Sequence, residues 1–174
     1  MKKLLLITGP NGVGKSTTAE CILEACTRCA YVDADWCRAI NPFPLTPATR
    51  GTVIANIHAL LLNYLLCSDI ETIIFPYALH GGRQDMLDTV LSRLRPAVPA
   101  FSLVTVVVTC SLEENIRRAQ QDGRSPERIA RGVRNTFTYY DDMDAPHIDT
   151  THLTPQQTAA LIIELAALRP QTGA

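Results

Sequence analysis

Gly9-Pro-Asn-Gly-Val-Gly-Lys-Ser16 is the stretch that decides how this chain is read. It fits the pattern G-x-x-x-x-G-K-[ST], and it lies between a short apolar run, Leu4 to Thr8, and a segment of helical periodicity from residue 15. Glycines let a backbone wrap closely around a phosphate, and the amide N–H groups at the start of the following helix point toward it. Lys15 then reaches the outer phosphates, and the Ser16 hydroxyl is placed to bind Mg²⁺. A plain glycine-rich turn would leave Lys15, the one lysine beyond residue 3, unexplained. The nucleotide-binding candidates here are Gly9, Asn11, Gly12, Val13, Gly14, Lys15, Ser16 and Thr17.

Outward from this loop, apolar runs alternate with periodic segments. Leu4 to Thr8, Tyr31-Val32, Thr72 to Phe75, Leu103 to Thr109 and a short piece at Ile148 read as strands. Residues 15 to 28 read as a helix with Ala19, Ile22, Leu23 and Cys26 on its apolar face. Thr46 caps and Pro47 begins another, running to about Cys67. Met86 to Leu94 is a third, and Ser111-Leu-Glu-Glu114 and Thr154-Pro-Gln-Gln157 are capping boxes that open two more. A helix from Ser125-Pro126 carries Ile129, Val133, Phe137 and Tyr140 on one face and Arg124, Arg128 and Arg131 on the other. Five strands alternating with helices predict an α/β three-layer sandwich with a parallel sheet, one domain over residues 1–174.

Composition removes several classes of function. Sixteen basic and seventeen acidic side chains nearly cancel, which argues against a nucleic-acid backbone as the main partner. The N-terminus is too short in apolar residues for a signal sequence, and His58 and Asn63 interrupt the longest greasy stretch. Six scattered cysteines match neither a disulfide framework nor a zinc site, so reduced thiols in a cytoplasmic protein are expected. Thirteen of the basic residues are Arg, and Arg117, Arg118, Arg124, Arg128, Arg131 and Arg134 crowd into eighteen positions. Arginine suits bidentate binding of phosphate or carboxylate, although a solvated helix face has the same look.

The chain lacks an Asn-Lys-x-Asp base-reading motif and a Leu-Ser-Gly-Gly signature, which sets aside GTPase switches and ABC-type ATPases. No Asp ends the third strand. Acidic residues instead follow the second, as Asp33-Ala-Asp35, and a spacing of two in an extended segment puts both carboxylates on one side. A phosphate-binding loop, an Asp-x-Asp after the second strand, an Arg-bearing lid and a final Ile-Asp-Thr strand together resemble the shikimate and gluconate kinase group of the nucleoside-monophosphate-kinase superfamily. They resemble still more closely small P-loop kinase-like proteins of unassigned substrate, through Asp33-Ala-Asp-Trp-Cys37 and Asn41-Pro-Phe43. The likeness covers nearly the whole chain. It implies strand order 2-3-1-4-5, a helical lid over about 117–140, ATP and Mg²⁺ as cofactors, and a small-molecule acceptor.

The same resemblance implies roles by position. Asp33 joins Ser16 at the metal, Asp35 meets the acceptor, and Lys15, Arg124 and Arg134 serve the transferring phosphates. Arg118 packs on adenine, which Asp149 and Thr151 in His147-Ile-Asp-Thr-Thr151 border from the other side. Arg117, Arg128 and Arg131 are left as solvated. The acceptor pocket draws its candidates from Asp35, Trp36, Arg38, Phe43, Tyr77, His80 and Arg83. Trp36, next to Asp35, is expected at the acceptor mouth, with an inward position in the core as the alternative. An ATP-dependent phosphotransferase is the resulting expectation, beside an antibiotic phosphotransferase on the same scaffold and a non-transferring ATP-binding regulator.

Overall fold

In the computed structural model, which describes residues 1–42, 44, 46–98 and 100–171 and only the backbone of residues 133–135, the apolar run before Gly9 is the central strand of a sheet. This strand, β1 (Lys2–Thr8), pairs in parallel with β3 (Thr72–Pro76) on one side and β4 (Phe101–Thr109) on the other. β2 (Cys29–Tyr31) adds beyond β3 and β5 (His147–Asp149) beyond β4, both parallel, so the order is β2-β3-β1-β4-β5. The expected α/β sandwich and strand order are therefore observed. Parallel neighbours need crossovers, and the crossover helices cover both faces of the sheet, which is why its central strands read as unbroken apolar runs.

Alternate residues of β1 feed two cores. Leu4 and Leu6, with Ile73, Phe75 and Val107, pack on Val53, Ile57 and Leu61 of α3 (Pro47–Leu66) and Leu87, Val90 and Leu94 of α4 (Arg83–Leu94). Leu5 and Ile7, with Ile74, Val106 and Val108, pack on Ala19 and Ile22 of α1 (Lys15–Ala25) and Ala159 and Ile162 of α7 (Pro155–Leu165). Two further helices, α5 (Leu112–Gln121) and α6 (Pro126–Thr136), follow β4, and the single turn α2 (Ala34–Cys37) follows β2. No helix among the described residues is long and apolar enough to cross a membrane.

Several boundaries differ from the sequence reading, each for a local reason. β1 begins at Lys2 because both lysines find helix C-termini: Lys3 Nζ donates to Ala166 O and Ala167 O at 2.6 Å, and Lys2 Nζ donates to Tyr64 O at 3.3 Å and to Cys67 O. β2 spans Cys29–Tyr31 rather than Tyr31-Val32, although Val32 N still donates to Ile74 O at 3.0 Å. α1 stops at Ala25, where Cys26 turns extended, and Leu23 is 36% exposed rather than part of the buried face. α4 starts three residues early, directly after Gly81 and Gly82, whose φ of +67° and +78° only glycine adopts freely.

Two corrections concern the site. The Asp33–Asp35 segment is not extended: Asp33 is the N-cap of α2, its Oδ1 accepting Asp35 N–H at 2.7 Å. The box expected at Ser111 is half formed. Ser111 Oγ accepts Glu114 N–H at 3.2 Å, but the Glu114 carboxylate turns to Arg117 and Arg118, and Thr151 Oγ1 accepts the Ser111 N–H instead, at 2.8 Å. The boxes at Thr46 and Thr154 close on both sides. α6 ends at Thr136, so Phe137 and Tyr140 lie beyond it, and Val133 is outside the described side chains.

Candidate active site

Gly9 leaves β1 with φ +142°, and a Cβ there would stand 2.0 Å from Val108 O on β4, so the loop can turn over the sheet only without a side chain. The rest of the loop is tied down by its carbonyls. Asn115 Nδ2 on α5 donates to Asn11 O at 2.9 Å, and Arg118 Nη1 donates to Val13 O at 3.2 Å. Lys15 folds back, its Nζ donating to Gly9 O at 2.9 Å and Pro10 O at 2.7 Å. Desolvation, then Arg83, and with them Arg124, against the pull of Asp35, bring its pKa down to about 7. The two backbone carbonyls hold the Lys15 amine in place, and among the described residues no carboxylate is hydrogen-bonded to it.

One cavity of about 1310 Å³ opens over the carboxyl ends of the strands. Asn11, Gly12, Val13, Gly14, Lys15, Ser16 and Thr17 form its floor, and Asp33, Asp35, Arg38, Tyr77, His80 and Arg83 form one wall. Arg118, Arg124 and Thr151 form the other. The cavity therefore gathers most of the residues singled out from the sequence. Gly9 and Asp149 are not on its surface: Gly9 shapes the turn, and Asp149 Oδ1 accepts the N–H of Thr151 at 2.9 Å and so orients it.

Trp36 is a correction. It is 79% exposed and absent from the cavity wall, since a helical turn swings the residue after Asp35 by about 100° away from it. The core does not hold it either. Phe43 and the Arg134 side chain lie outside the described residues. Arg124 precedes α6 rather than riding on it, pairs with Asp122 at 3.0 Å, and would lie 3.6 Å from a Cβ on Gly12. Arg117 and Arg128, expected in solvent, both line the cavity, whereas Arg131 is exposed and does not.

Arg118 is held from several sides. It donates to Val13 O, to Thr150 Oγ1 at 3.1 Å and O at 2.7 Å, and through Nε to Glu114 Oε1 at 2.6 Å. Arg117 and then Arg118 hold the Glu114 carboxyl down at about 2.

Sequence reasoning missed Asn115, Glu114 and Tyr140, whose importance comes only from what they touch. It also missed Arg50, which lines the cavity from the first turn of α3. A signal for Arg50 was present: a cation in the first turn of a helix opposes the macrodipole, which local stability does not favour.

For Mg²⁺ the donors fit. Ser16, at the start of α1, and Asp33, whose Oδ1 caps α2, both line the same cavity. A few hard oxygens beside phosphate and water oxygens are what this ion takes.

The family model described as an AAA domain matches residues 5–138. No curated protein sequence matches the chain. Among solved structures, the tunicamycin resistance protein of Deinococcus radiodurans is similar at TM-score 0.69 and 18% identity, over 99% of this chain and 100% of that one. A gluconokinase from Sinorhizobium meliloti 1021 is similar at TM-score 0.62 and 17% identity, over 95% and 94% of the two chains. The APS kinase of Mycobacterium tuberculosis, solved with AMPPNP and APS, is similar at TM-score 0.60 and 18% identity, over 95% and 98%. At these identities the likeness is one of fold.

Proposed function

The chain belongs to the AAA domain family and carries a P-loop kinase fold, and on that footing we propose that it is an ATP- and Mg²⁺-dependent phosphotransferase acting on a small-molecule acceptor. The observation that carries this reading is the joint presence of Lys15, Ser16, Asp33 and Asp35 in one cavity with Arg124 and Arg128 facing them. A module that only bound nucleotide would have no use for a second carboxylate, Asp35, beside Lys15 and Asp33.

The roles follow from position. The loop amides and Lys15 hold the outer phosphates; Arg118 and the Thr150–Thr151 turn border the base. Mg²⁺, held by Ser16 and Asp33, would neutralise phosphate charge and align the β- and γ-phosphates. Asp35 takes the proton of the acceptor hydroxyl as its oxygen forms the new bond to the γ-phosphorus. The bond from that phosphorus to the bridging oxygen breaks, and ADP leaves. Charge on the moving group is met by Lys15 and by Arg124, whose contacts strengthen as it redistributes.

A panel of metabolites and nucleosides assayed for ATP-to-ADP conversion tests this. With the acceptor found, Asp35→Asn is expected to lower kcat by roughly 10² or more and to leave the KM for ATP within a few-fold. Normal turnover in Asp35→Asn with weakened ATP binding would exchange the roles of Asp33 and Asp35. Failure of the wild-type protein to turn over ATP with any acceptor, while binding it, would leave a regulator instead.

A further inference from the structure

His80 stands in the turn between β3 and α4, and its ring is engaged at both nitrogens. Nε2 lies 3.3 Å from Asn11 Nδ2 in the phosphate-binding loop and 3.2 Å from Arg83 Nη1 at the start of α4. Both approaching groups can only donate, so Nε2 accepts and the ring proton sits on Nδ1. That proton is donated to Tyr140 Oη at 3.0 Å, and the same phenol accepts the Leu79 N–H at 2.9 Å. Tyr140 is fully buried, beyond the end of α6. Its ring and that of Tyr139 meet the imidazole edge-on, with centroids 6.2 and 6.5 Å away. The core thus fixes one side of the ring, and the tautomer it imposes turns an unprotonated nitrogen toward the loop.

Asn11 is what that nitrogen holds. Between Gly9 and Gly12 stand only Pro10 and Asn11, and of those two side chains the Asn11 amide is the one that can hydrogen-bond. Gly9, Gly12 and Gly14 all have positive φ, so the loop is built from residues with much conformational freedom to lose when its amides converge on a phosphate. Two contacts limit that freedom at Asn11. From α5, Asn115 Nδ2 donates to its backbone O at 2.9 Å; from the opposite wall of the cavity, His80 Nε2 accepts from its side chain. Burial, then Arg83 and Lys15, keep the imidazole uncharged at neutral pH, so Nε2 remains an acceptor there.

We propose that His80 is a positioning residue for the phosphate-binding loop: its Nε2 holds the Asn11 amide, and through it the turn over residues 9–12, in the shape that receives the outer phosphates. This rests on the nucleotide-binding part of the phosphotransfer reading and adds a residue that lies far outside the loop motif. Order present before the ligand arrives is order that binding need not create, so the contact raises affinity through Asn11. A histidine that only packed against Tyr140 would need its bulk and its Nδ1–H, and Nε2 would be idle.

The test uses two amides that each copy one half of the ring. Glutamine sets its side-chain oxygen near the position of Nε2, and asparagine sets its amide near that of Nδ1. Hydrogen exchange of peptides covering residues 9–16 is followed in the ligand-free full chain, and Mg-AMPPNP is titrated calorimetrically. His80→Asn is expected to speed loop exchange by about five-fold or more and to weaken Mg-AMPPNP about ten-fold, whereas His80→Gln stays within about three-fold of wild type in both. Asn11→Ala should weaken binding about ten-fold in the wild-type background and about two-fold or less in His80→Asn, because both remove one contact. Asn11 is exposed, so Asn11→Ala, which should also speed loop exchange, reads that contact even where a variant of the buried histidine fails to fold. Loop exchange unchanged in Asn11→Ala, His80→Asn behaving as wild type, His80→Gln as weak as His80→Asn or weaker, or additive effects at the two positions would each overturn the proposal. Absence of Mg-AMPPNP binding in the wild-type protein would instead defeat the phosphotransfer reading, and loop exchange alone would then decide whether His80 positions the loop.

Discussion

His80 is pushed down from its ordinary pKa of 6.5 to about 4, by burial first and then by Arg83 and Lys15. The folded state therefore binds fewer protons than the unfolded chain between about pH 4 and 6.5, and stability rises with pH across that window. Above 6.5 the contribution is complete; as pH falls to about 4 it is lost, because the unfolded chain has taken up a proton that the folded site resists. Replacing His80 with Gln removes the titration while keeping a hydrogen-bonding group. Urea midpoints between pH 4 and 6.5 are expected to fall less steeply in His80→Gln than in the wild type. Parallel curves would mean that His80 titrates normally. At this scale Lys15 and Ser16 were legible because their motif states a mechanism in eight consecutive residues. His80 was legible only as a turn residue near the acceptor, since its tautomer and neutrality depend on Asn11, Arg83 and Tyr140, which lie far apart along the chain.

Among the elements, α5 does the most to fix the loop, through Asn115 and Arg118, and it is itself anchored by Ser111 against Thr151 and by Glu114 between two arginines. Lysine at 118 could keep the charge but could not bridge Glu114, Val13 and Thr150 at once. Arg118→Lys is therefore expected to weaken Mg-AMPPNP binding about ten-fold, measured by calorimetry, while lowering Tm by only a few degrees. Binding within two-fold of wild type would show that the loop holds its shape without α5. The long elements were readable because burial on both faces or on one stripe leaves a pattern: β1, β3, β4, α3 and α7 all stand within a few residues of where periodicity put them. α2 was not readable. Four residues are too few to display a helical period, and the side-chain cap on Asp33 overrode the extended reading, carrying Trp36 away from the cavity with it. The lid arginines misled for a related reason: assigning Arg124 to the helical face of α6 ignored Gly123, whose φ of +69° breaks the chain between α5 and α6.

Across the whole molecule, one side of the cavity belongs to the two packed cores and the other to α5 and α6. α6 packs chiefly against α5, and the salt bridge at its base, Arg124 to Asp122, is half exposed and weak. The cavity, about 1310 Å³, exceeds the few hundred to roughly 1000 Å³ usual for one bound small molecule, which suits the proposed site for two substrates. Arg128 and Gly132 reach it from α6, so on the proposed reading contact between that helix and bound phosphates would draw α6 toward the half built on the two cores. Arg124, Arg128 and Arg131 are also trypsin sites, and cleavage in a folded protein requires local opening. Mg-AMPPNP is expected to slow tryptic cleavage after Arg124, Arg128 and Arg131 by at least ten-fold in the wild type and to leave it unchanged in Lys15→Ala. Cleavage elsewhere in the chain should change much less, because the two cores are already closed. Digestion of the lid at one rate with and without the nucleotide would mean that α6 does not close on it, and water would then have to be excluded from the transferring group by the acceptor alone.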